Sequence, residues 1–189
     1  MAKGKKFFSL KAQLLLDGGN LQGSYFHRTV VLVCEHTPEG AVGLVLNRPS
    51  ENALNQVFNQ SIPQRLESER LFLGGPVQTA ALSFLYSNAV LLTGNITTNL
   101  SMSHELDDLI GIGEEWVPSQ KLRVFAGYSG WGAGQLEDEI RRDAWLIHAA
   151  TLDLVFDVAP EQLWQQILRG REDWRERLLA ESPDDPAAN

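Results

Sequence analysis

The chain has little cysteine and no long apolar run. Its 189 residues include a single cysteine, Cys34, which excludes an intramolecular disulfide. The longest apolar stretches, such as 30–34 and 89–92, are far shorter than the roughly 20 residues that span a bilayer, so we predict no transmembrane helix. Residues 1–11 contain lysines but no apolar stretch followed by a small-residue cleavage site, so we expect a cytoplasmic protein.

Basic residues are also scarce, and their balance with acidic residues differs along the chain. The 16 basic and 24 acidic residues give a net charge of -8. Residues 1–104 carry 8 basic and 6 acidic residues, whereas residues 105–189 carry 8 and 18. Because polyanion binding depends on lysines and arginines that neutralise phosphates, this balance argues against direct nucleic-acid binding. The lysines of segment 1–11 form the basic cluster, which we interpret as a solubilising end or a weak anionic contact.

The overall composition is that of a globular domain, with 43% hydrophobic and 21% charged residues. A chain of this length buries roughly 70% of its unfolded surface and needs no disulfide to form a core. We predict one domain over residues 12–180, preceded by a basic N-terminal segment at 1–11. An acidic disordered tail is expected at 181–189.

The strongest structural pattern is a β-hairpin. Residues 29–36 and 41–47 are β-branched and apolar enough for strands buried on both faces, and residues 37–40 have turn chemistry. Further strands are expected over 12–16, 71–73, 81–86, 89–92, 121–128, 144–148 and 152–155. Helices are expected near 54–58, from Ser101 or Ser103 to 110 with Gly111 as the stop, over 135–142, and from Pro160 onwards. The pattern favours an α/β or α+β domain with a mostly antiparallel or mixed sheet, or a barrel-like core, and flanking helices.

A glycine-rich segment between a predicted strand and a predicted helix is the first candidate site. Such a turn can present backbone N–H groups to an anion. The phosphate fingerprints fail, however, because Gln135 stands where a third glycine is needed and residues 137–139 are all acidic. Two interpretations remain, namely glycines that permit tight packing and turn geometry, or a site for a neutral or cationic ligand or a peptide. The candidate residues are Gly127, Ser129, Gly130, Trp131, Gly132 and Gly134.

The same segment resembles the nucleophile elbow of a hydrolase only in part. That elbow needs glycines two positions on either side of the serine, and Trp131 occupies the second position here. In such hydrolases an aspartate and then a histidine follow the serine along the chain, and here Asp143 and His148 have that order. They are only five residues apart, which is a poor spacing for both to reach one serine. The pattern therefore argues against a serine hydrolase.

Cys34 is the second candidate, as a redox or nucleophilic residue. Strand alternation places it on the same face as His36. Its apolar surroundings favour a buried, inert core cysteine, and a reactive or redox-sensing thiol is the alternative. No histidine has a cysteine or a second histidine at metal-ligand spacing, so we expect no metal, and nothing indicates a cofactor.

The base of the predicted hairpin is the third candidate. His27, Arg28, Asn47 and Arg48 flank the two strands, so antiparallel pairing brings them to one end. They could form an internal ion pair with Glu35 or an acidic residue of 137–139, or bind a small anionic ligand or a partner. We expect this base and the glycine-rich segment to meet as one concave feature.

Five segments together resemble the bacterial AlgH/YqgE family. They are FHRTV at 26–30, CEH at 34–36, GLVLNRP at 43–49, GGPV at 74–77 and GYSGWGAGQLE at 127–137. The resemblance covers roughly residues 12–156 and implies a compact, cytosolic α/β domain without a known cofactor. The family's name reflects a suspected regulatory role in alginate production, and the resemblance supplies no catalytic residues.

The leading hypothesis is a non-catalytic binding or indirect regulatory protein with an unknown protein or small-molecule partner. An enzyme or redox sensor that uses Cys34 is the alternative. A transcriptional regulator that binds DNA directly is a third hypothesis, although the sequence carries neither a helix-turn-helix pattern nor a basic face.

Overall fold

The computed structural model describes residues 7–59, 61–87 and 94–183. Nine strands lie in these ranges. They are β1 (Gln13–Asp17), β2 (Val30–Thr37), β3 (Gly40–Val45), β4 (Pro49–Ala53), β5 (Arg70–Leu73), β6 (Val77–Ser87), β7 (Leu100–Ser103), β8 (Lys121–Gly132) and β9 (Trp145–Ala149).

Helices connect and cover the strands. They are α1 (Leu54–Val57), α2 (Leu106–Glu114), α3 (Gln135–Arg141), α4 (Pro160–Arg169) and α5 (Trp174–Ala180), with a 3-10 turn at Gln64–Leu66 and a π-helical turn at Asp153–Asp157. Pro160 begins α4 because a first-turn proline needs no hydrogen-bond acceptor for its nitrogen. Among the described residues, no helix is both long and apolar enough to cross a membrane.

The strands form one mixed sheet in the order β4-β5-β8-β3-β2-β1-β9. The sheet is open rather than closed, so the barrel-like alternative is not realised. β8 joins its two halves, since its first part pairs with β5 and β6 and its last residues pair with β3. The pairing of β5 with β8 is parallel, and every other strand pair of the described residues is antiparallel.

Both faces of the central strands are covered. Alternate residues of β2 enter two different hydrophobic clusters, with Leu32 in the cluster that includes α4 and Val31 and Val33 in the cluster that includes α3. A third cluster packs α1 and α2 against the β5–β8 half of the sheet. This double burial explains why the hairpin strands are almost continuously apolar.

The predicted fold class is confirmed, and so is the hairpin. β2 and β3 pair antiparallel around the turn after Thr37, with Val31 opposite Val45. The first arm of the predicted second hairpin lies within β6, which pairs with β8 and β7. Its second arm, 89–92, lies outside the described residues.

Three local expectations are wrong. Ser101 and Ser103 belong to β7 instead of capping a helix, and α2 continues past Gly111 to Glu114. The segment predicted as a strand at 152–155 forms the π-helical turn. β8 runs through the glycine-rich residues as far as Gly132, because β3 extends alongside and supplies backbone partners. Because of this extension of β8, most of the glycine-rich candidate site is part of a strand instead of a turn.

Candidate functional site

The hairpin base is organised around the carboxylate of Asp17, which is fully buried at the end of β1. Its Oδ1 accepts hydrogen bonds from the N–H groups of Gly19 at 2.8 Å and Leu21 at 3.3 Å. Its Oδ2 accepts from the N–H of Arg28 at 2.7 Å, and the buried Nδ1 of His27 lies 3.5 Å away. A buried carboxylate needs such donors. The network therefore fixes the backbone that carries His27 and Arg28, two of the residues predicted for the site.

Asn47 closes the open end of the hairpin. Its Oδ1 accepts from the N–H of Val30 at 2.9 Å, and its Nδ2 donates to the carbonyl of Arg28 at 2.8 Å. The amide thus supplies the donor and acceptor of a strand partner just beyond the last β2–β3 pair. This buried role explains why an amide follows the apolar run of β3.

Arg28 adopts a left-handed backbone conformation with φ at 53°. For a non-glycine residue this costs of the order of 1 kcal/mol and needs surroundings that impose it, which the bonds of its N–H and C=O groups provide. Its guanidinium lies over the ring of Trp164, 5.0 Å from the centroid, and donates to the carbonyl and hydroxyl oxygens of Ser182. The Trp164 indole in turn donates to the carbonyl of Asp17 at 3.1 Å, which docks α4 against the hairpin base.

Arg48 points its Nη2 to the carbonyl of His27 and lies half-buried beside a cavity of about 490 Å³. This hairpin-base cavity is lined by Arg28, Asn47, Arg48, Pro49, Glu161, Trp164 and Gln165. Its volume is within the range of small-molecule sites. On the other side of Arg28 lies a smaller cavity of about 220 Å³, bordered by His27 and the residues around Ser182.

The internal ion pair expected for the hairpin-base arginines is not formed with the acidic residues of 137–139. Glu137 pairs with His36 at 3.2 Å, and Asp138 pairs with Arg141 at 2.7 Å. The carboxylate of Glu139 accepts from the indoles of Trp131 and Trp145, each at 2.8 Å. None of the ion pairs among the described residues involves Glu35. Among the described residues, Arg28 contacts Ser182 and Trp164, and Arg48 contacts the carbonyl of His27.

The glycine-rich residues act mainly as packing positions in a strand. Ser129 is fully buried and donates from Oγ to the carbonyl of Gly74 at 3.2 Å. Trp131 packs in the cluster beside α3. Gly127 has φ at 68°, and a Cβ there would lie 2.5 Å from the carbonyl oxygen of Gly75. Only glycine fits so close an approach with that backbone.

The expectation that the hairpin base and the glycine-rich segment meet is wrong. Gly130 lies opposite Val42 and Gly132 opposite Gly40, which is the turn end of the hairpin. Gly134, in a left-handed conformation, then precedes α3. The seven residue steps of β2 from its base to its turn span about 23 Å at 3.3 Å per residue. The two sets of predicted residues therefore belong to different parts of the molecule.

Cys34 is buried at a β-bulge. The β2–β3 register shifts between Val33 and Glu35, so Cys34 is the extra residue. It joins the cluster that includes Leu32, whereas His36 faces the opposite side and contacts Glu137. Strand alternation predicted one shared face, and the bulge breaks that alternation. Burial, and then the nearby charge of Glu35, raise the pKa of the thiol to about 12.

We expect Cys34 to resist alkylation in the native protein. The thiolate is the reactive form, and at pH 8 burial keeps this thiol protonated and covered. Iodoacetamide labelling followed by mass spectrometry should give slow modification in buffer and rapid modification in denaturant. Rapid labelling of folded protein would instead support the redox-sensor alternative.

The pattern of the sequence missed two residues that organise the hairpin base. Neither Asp17 nor Trp164 is among the candidate residues taken from the sequence. A signal exists for Asp17, since an aspartate before two glycines often binds the N–H groups that follow. Among the described residues, no group of three or more histidine, cysteine or acidic side chains is placed to hold a metal ion.

Known proteins match most of this chain. Residues 14–172 match the family model described as AlgH-like. A UPF0301 protein from Pelodictyon phaeoclathratiforme is 36% identical over 190 residues, covering 97% of this chain and 98% of the relative. A UPF0301 protein from Bordetella pertussis is 39% identical over 162 residues, covering 82% and 79%. None of these names states an activity.

Two solved structures share the fold. The solution structure of the AlgH protein from Pseudomonas aeruginosa is 31% identical, with a TM-score of 0.71, and the match covers 95% of this chain and 98% of that one. The crystal structure of a protein from Corynebacterium diphtheriae is 22% identical, with a TM-score of 0.72, over 93% and 94% of the two chains.

Proposed function

Because this chain belongs to the AlgH-like family, and the names of the two relatives compared above state no activity, we propose its function from the site: a cytoplasmic, non-catalytic binding protein for a small anionic ligand. The observation that carries the proposal is the convergence of two arginines and an amide around one cavity at the hairpin base. The ligand would lie in that cavity, beside the Trp164 ring.

The chemistry of the lining favours binding of a carboxylate or a similar planar anion. A guanidinium offers a fork of N–H donors that matches a carboxylate, and among the described residues Arg48 donates to one backbone carbonyl, that of His27. Glu161 also lines the cavity and would repel a second negative charge. A ligand that combines one anionic group with a hydroxyl or amino donor fits both side chains.

The same lining supports binding over catalysis. Among the described residues, the lining of the hairpin-base cavity has one carboxylate, that of Glu161, and no hydroxyl, thiol or imidazole group beside it for that carboxylate to activate. Any regulatory role in this proposal is indirect and acts through the bound ligand or a protein partner. The net charge of -8 is consistent with that route rather than with direct DNA binding.

We expect Arg48→Met to weaken anion binding by about tenfold, because a hydrogen bond to a charged group contributes roughly 1.5–3 kcal/mol. L-lactate, propionate and 1,2-propanediol are suitable probes, since lactate carries one carboxylate and a hydroxyl group, propionate lacks the hydroxyl group and the diol lacks the carboxylate. Titration calorimetry should give binding of lactate, weaker binding of propionate and none of 1,2-propanediol. Arg48 is preferred to Arg28 because its side chain contributes less to the tertiary contacts.

The matched control is Arg70→Met, which removes one exposed positive charge outside the cavity. It should leave lactate binding unchanged, and both variants should unfold at nearly the wild-type temperature. Equal losses in the two variants would indicate a general charge effect and contradict the site. Failure of all three probes to bind the wild type would contradict the proposed ligand class.

A further inference from the structure

A second cavity, of about 460 Å³, lies beneath an irregular part of β6 and is separate from the hairpin base. In the β6–β8 register Val77 is opposite Tyr128, and the next pair is Leu82 with Ala126. Four residues of β6, 78–81, therefore face the single residue Gly127. This extra length forms a bulge that leaves space between the strand and the sheet. We refer to this space as the bulge cavity.

The bulge depends on unusual backbone geometry. Gln78 has φ at 45°, which is a left-handed conformation for a residue with a Cβ. Gly127 has φ at 68° and approaches the carbonyl oxygens of Gly75 and Val77 too closely for any side chain. Strained non-glycine residues persist where the surrounding structure imposes them, and they are frequent in ligand sites.

The lining of the bulge cavity combines an apolar surface with a few polar groups. Val42, Leu44 and Met102 contribute apolar surface, and Tyr128 adds an aromatic ring. The cavity has one carboxylate, that of Glu35, and among the described residues no lysine or arginine lines it. A cavity of this volume with few polar groups has the character of a small-molecule site.

The β2 bulge is what brings the carboxylate to this cavity. With Cys34 as the extra residue, Glu35 pairs with Val42 and lies on the face that also carries Leu44. Regular alternation would have placed Glu35 on the other side of the sheet. Its carboxylate forms none of the ion pairs found among the described residues, so its charge is available to a ligand.

Ser83 and His104 contribute a polar pair that does not form a catalytic dyad. His104 Nδ1 lies 3.2 Å from the carbonyl of Leu82 and 3.1 Å from Ser83 Oγ. A carbonyl only accepts hydrogen bonds, so in the tautomer that donates to Leu82 the Nδ1 atom holds the proton and does not take one from the serine. The pair therefore supplies polar groups for binding and no activated nucleophile.

We propose that the bulge cavity binds a small organic ammonium compound, with its charge at Glu35 and its apolar body against Met102 and Leu44. The single carboxylate, the lack of a lining lysine or arginine and the apolar surface all match this class. A π face at Tyr128 adds a surface that attracts cations. This site is independent of the anion site at the hairpin base.

A matched set of probes tests the ligand class. Phenethylamine, 2-phenylethanol and phenylacetate share an aromatic body and differ in charge. The protein contains two methionines, Met1 and Met102, so labelling with ¹³C-methyl methionine reports directly on the cavity. We expect phenethylamine to shift the Met102 methyl signal in a saturable way. The alcohol and the carboxylate should bind at least several-fold more weakly.

Paired variants test the location. Glu35→Gln should weaken phenethylamine binding about fivefold, the upper range for a partly exposed charge pair. Glu39→Gln removes a charge from the same hairpin outside the cavity and should have no effect. Equal weakening by both variants, equal binding of the alcohol, or no Met102 shift with any probe would overturn the proposal. Arg48→Met should not change this titration, so the two sites can fail separately.

Discussion

Replacing Asp17 with alanine is expected to lower the free energy of unfolding by about 3 kcal/mol or more. The carboxylate is fully buried and accepts from the N–H groups of Gly19, Leu21 and Arg28. Alanine leaves these donors without an acceptor, and each buried unsatisfied donor costs roughly 1–3 kcal/mol. The left-handed conformation of Arg28 also loses the bond that helps to impose it.

Urea unfolding followed by circular dichroism measures this effect. Asp17→Asn is a second informative variant, since it keeps one acceptor oxygen and places an NH2 group against a donor, so its stability should fall between those of alanine and wild type. Glu51→Ala, at an exposed position of β4, should change the midpoint little. A change of less than about 1 kcal/mol for Asp17→Ala would contradict the role assigned to this carboxylate.

Replacing Arg123 with methionine is expected to lower the free energy of unfolding by about 2–3 kcal/mol. The side chain is buried, and burial lowers the pKa of its guanidinium to about 10. It donates to the carbonyl of Leu46 at 3.1 Å and to that of Phe156 at 3.1 Å, and it lies over the ring of Phe72. Methionine fills part of the volume but leaves these carbonyls without donors.

Two opposing effects decide whether the Arg123→Met replacement raises or lowers the free energy of unfolding. Removing a buried charge recovers desolvation energy, which in some proteins makes such a replacement neutral. Here the guanidinium also joins β8 to the end of β3 and to the π-helical turn, so its donors hold three separate segments. We therefore expect the loss of these bonds to dominate.

Lys121→Met is the matched control, because Lys121 lies two residues earlier on β8 and forms an exposed ion pair with Asp157. This variant should change stability by no more than about 1 kcal/mol. Both variants can be compared by thermal and urea unfolding. An Arg123 variant as stable as the Lys121 variant would show that the desolvation gain offsets the lost bonds.

The hairpin could be predicted from sequence because each of its determinants is local. A β-branched apolar run, a four-residue turn and a second apolar run define β2 and β3 without reference to the rest of the chain. The convergence of Arg28 and Arg48 follows from antiparallel pairing alone. These parts of the candidate site could be predicted because, in a paired strand, the spacing of residues in the sequence determines where each residue lies.

The glycine-rich segment and Cys34 could not be placed in this way. Residues 129–132 have turn composition but continue as strand, because β3 offers them backbone partners as far as Gly40. Strand alternation predicts that Cys34 and His36 share a face of the sheet. The bulge at Cys34 shifts the register, so each residue of β2 after Cys34 lies on the opposite face from the one that alternation predicts. In both cases the deciding interaction comes from a neighbouring strand.

Local patterns along the chain are enough to predict the fold class, the family resemblance, the hairpin and the cluster of polar residues at its base. Tertiary structure alone decided that Asp17 anchors this base and that Trp164, 147 residues further along the chain, packs beneath Arg28. It also decided that the glycine-rich strand lies elsewhere and that Glu35 faces the bulge cavity. The physical reason is that strand patterns are set by neighbouring residues, whereas cavities are formed by side chains from segments that only folding brings together.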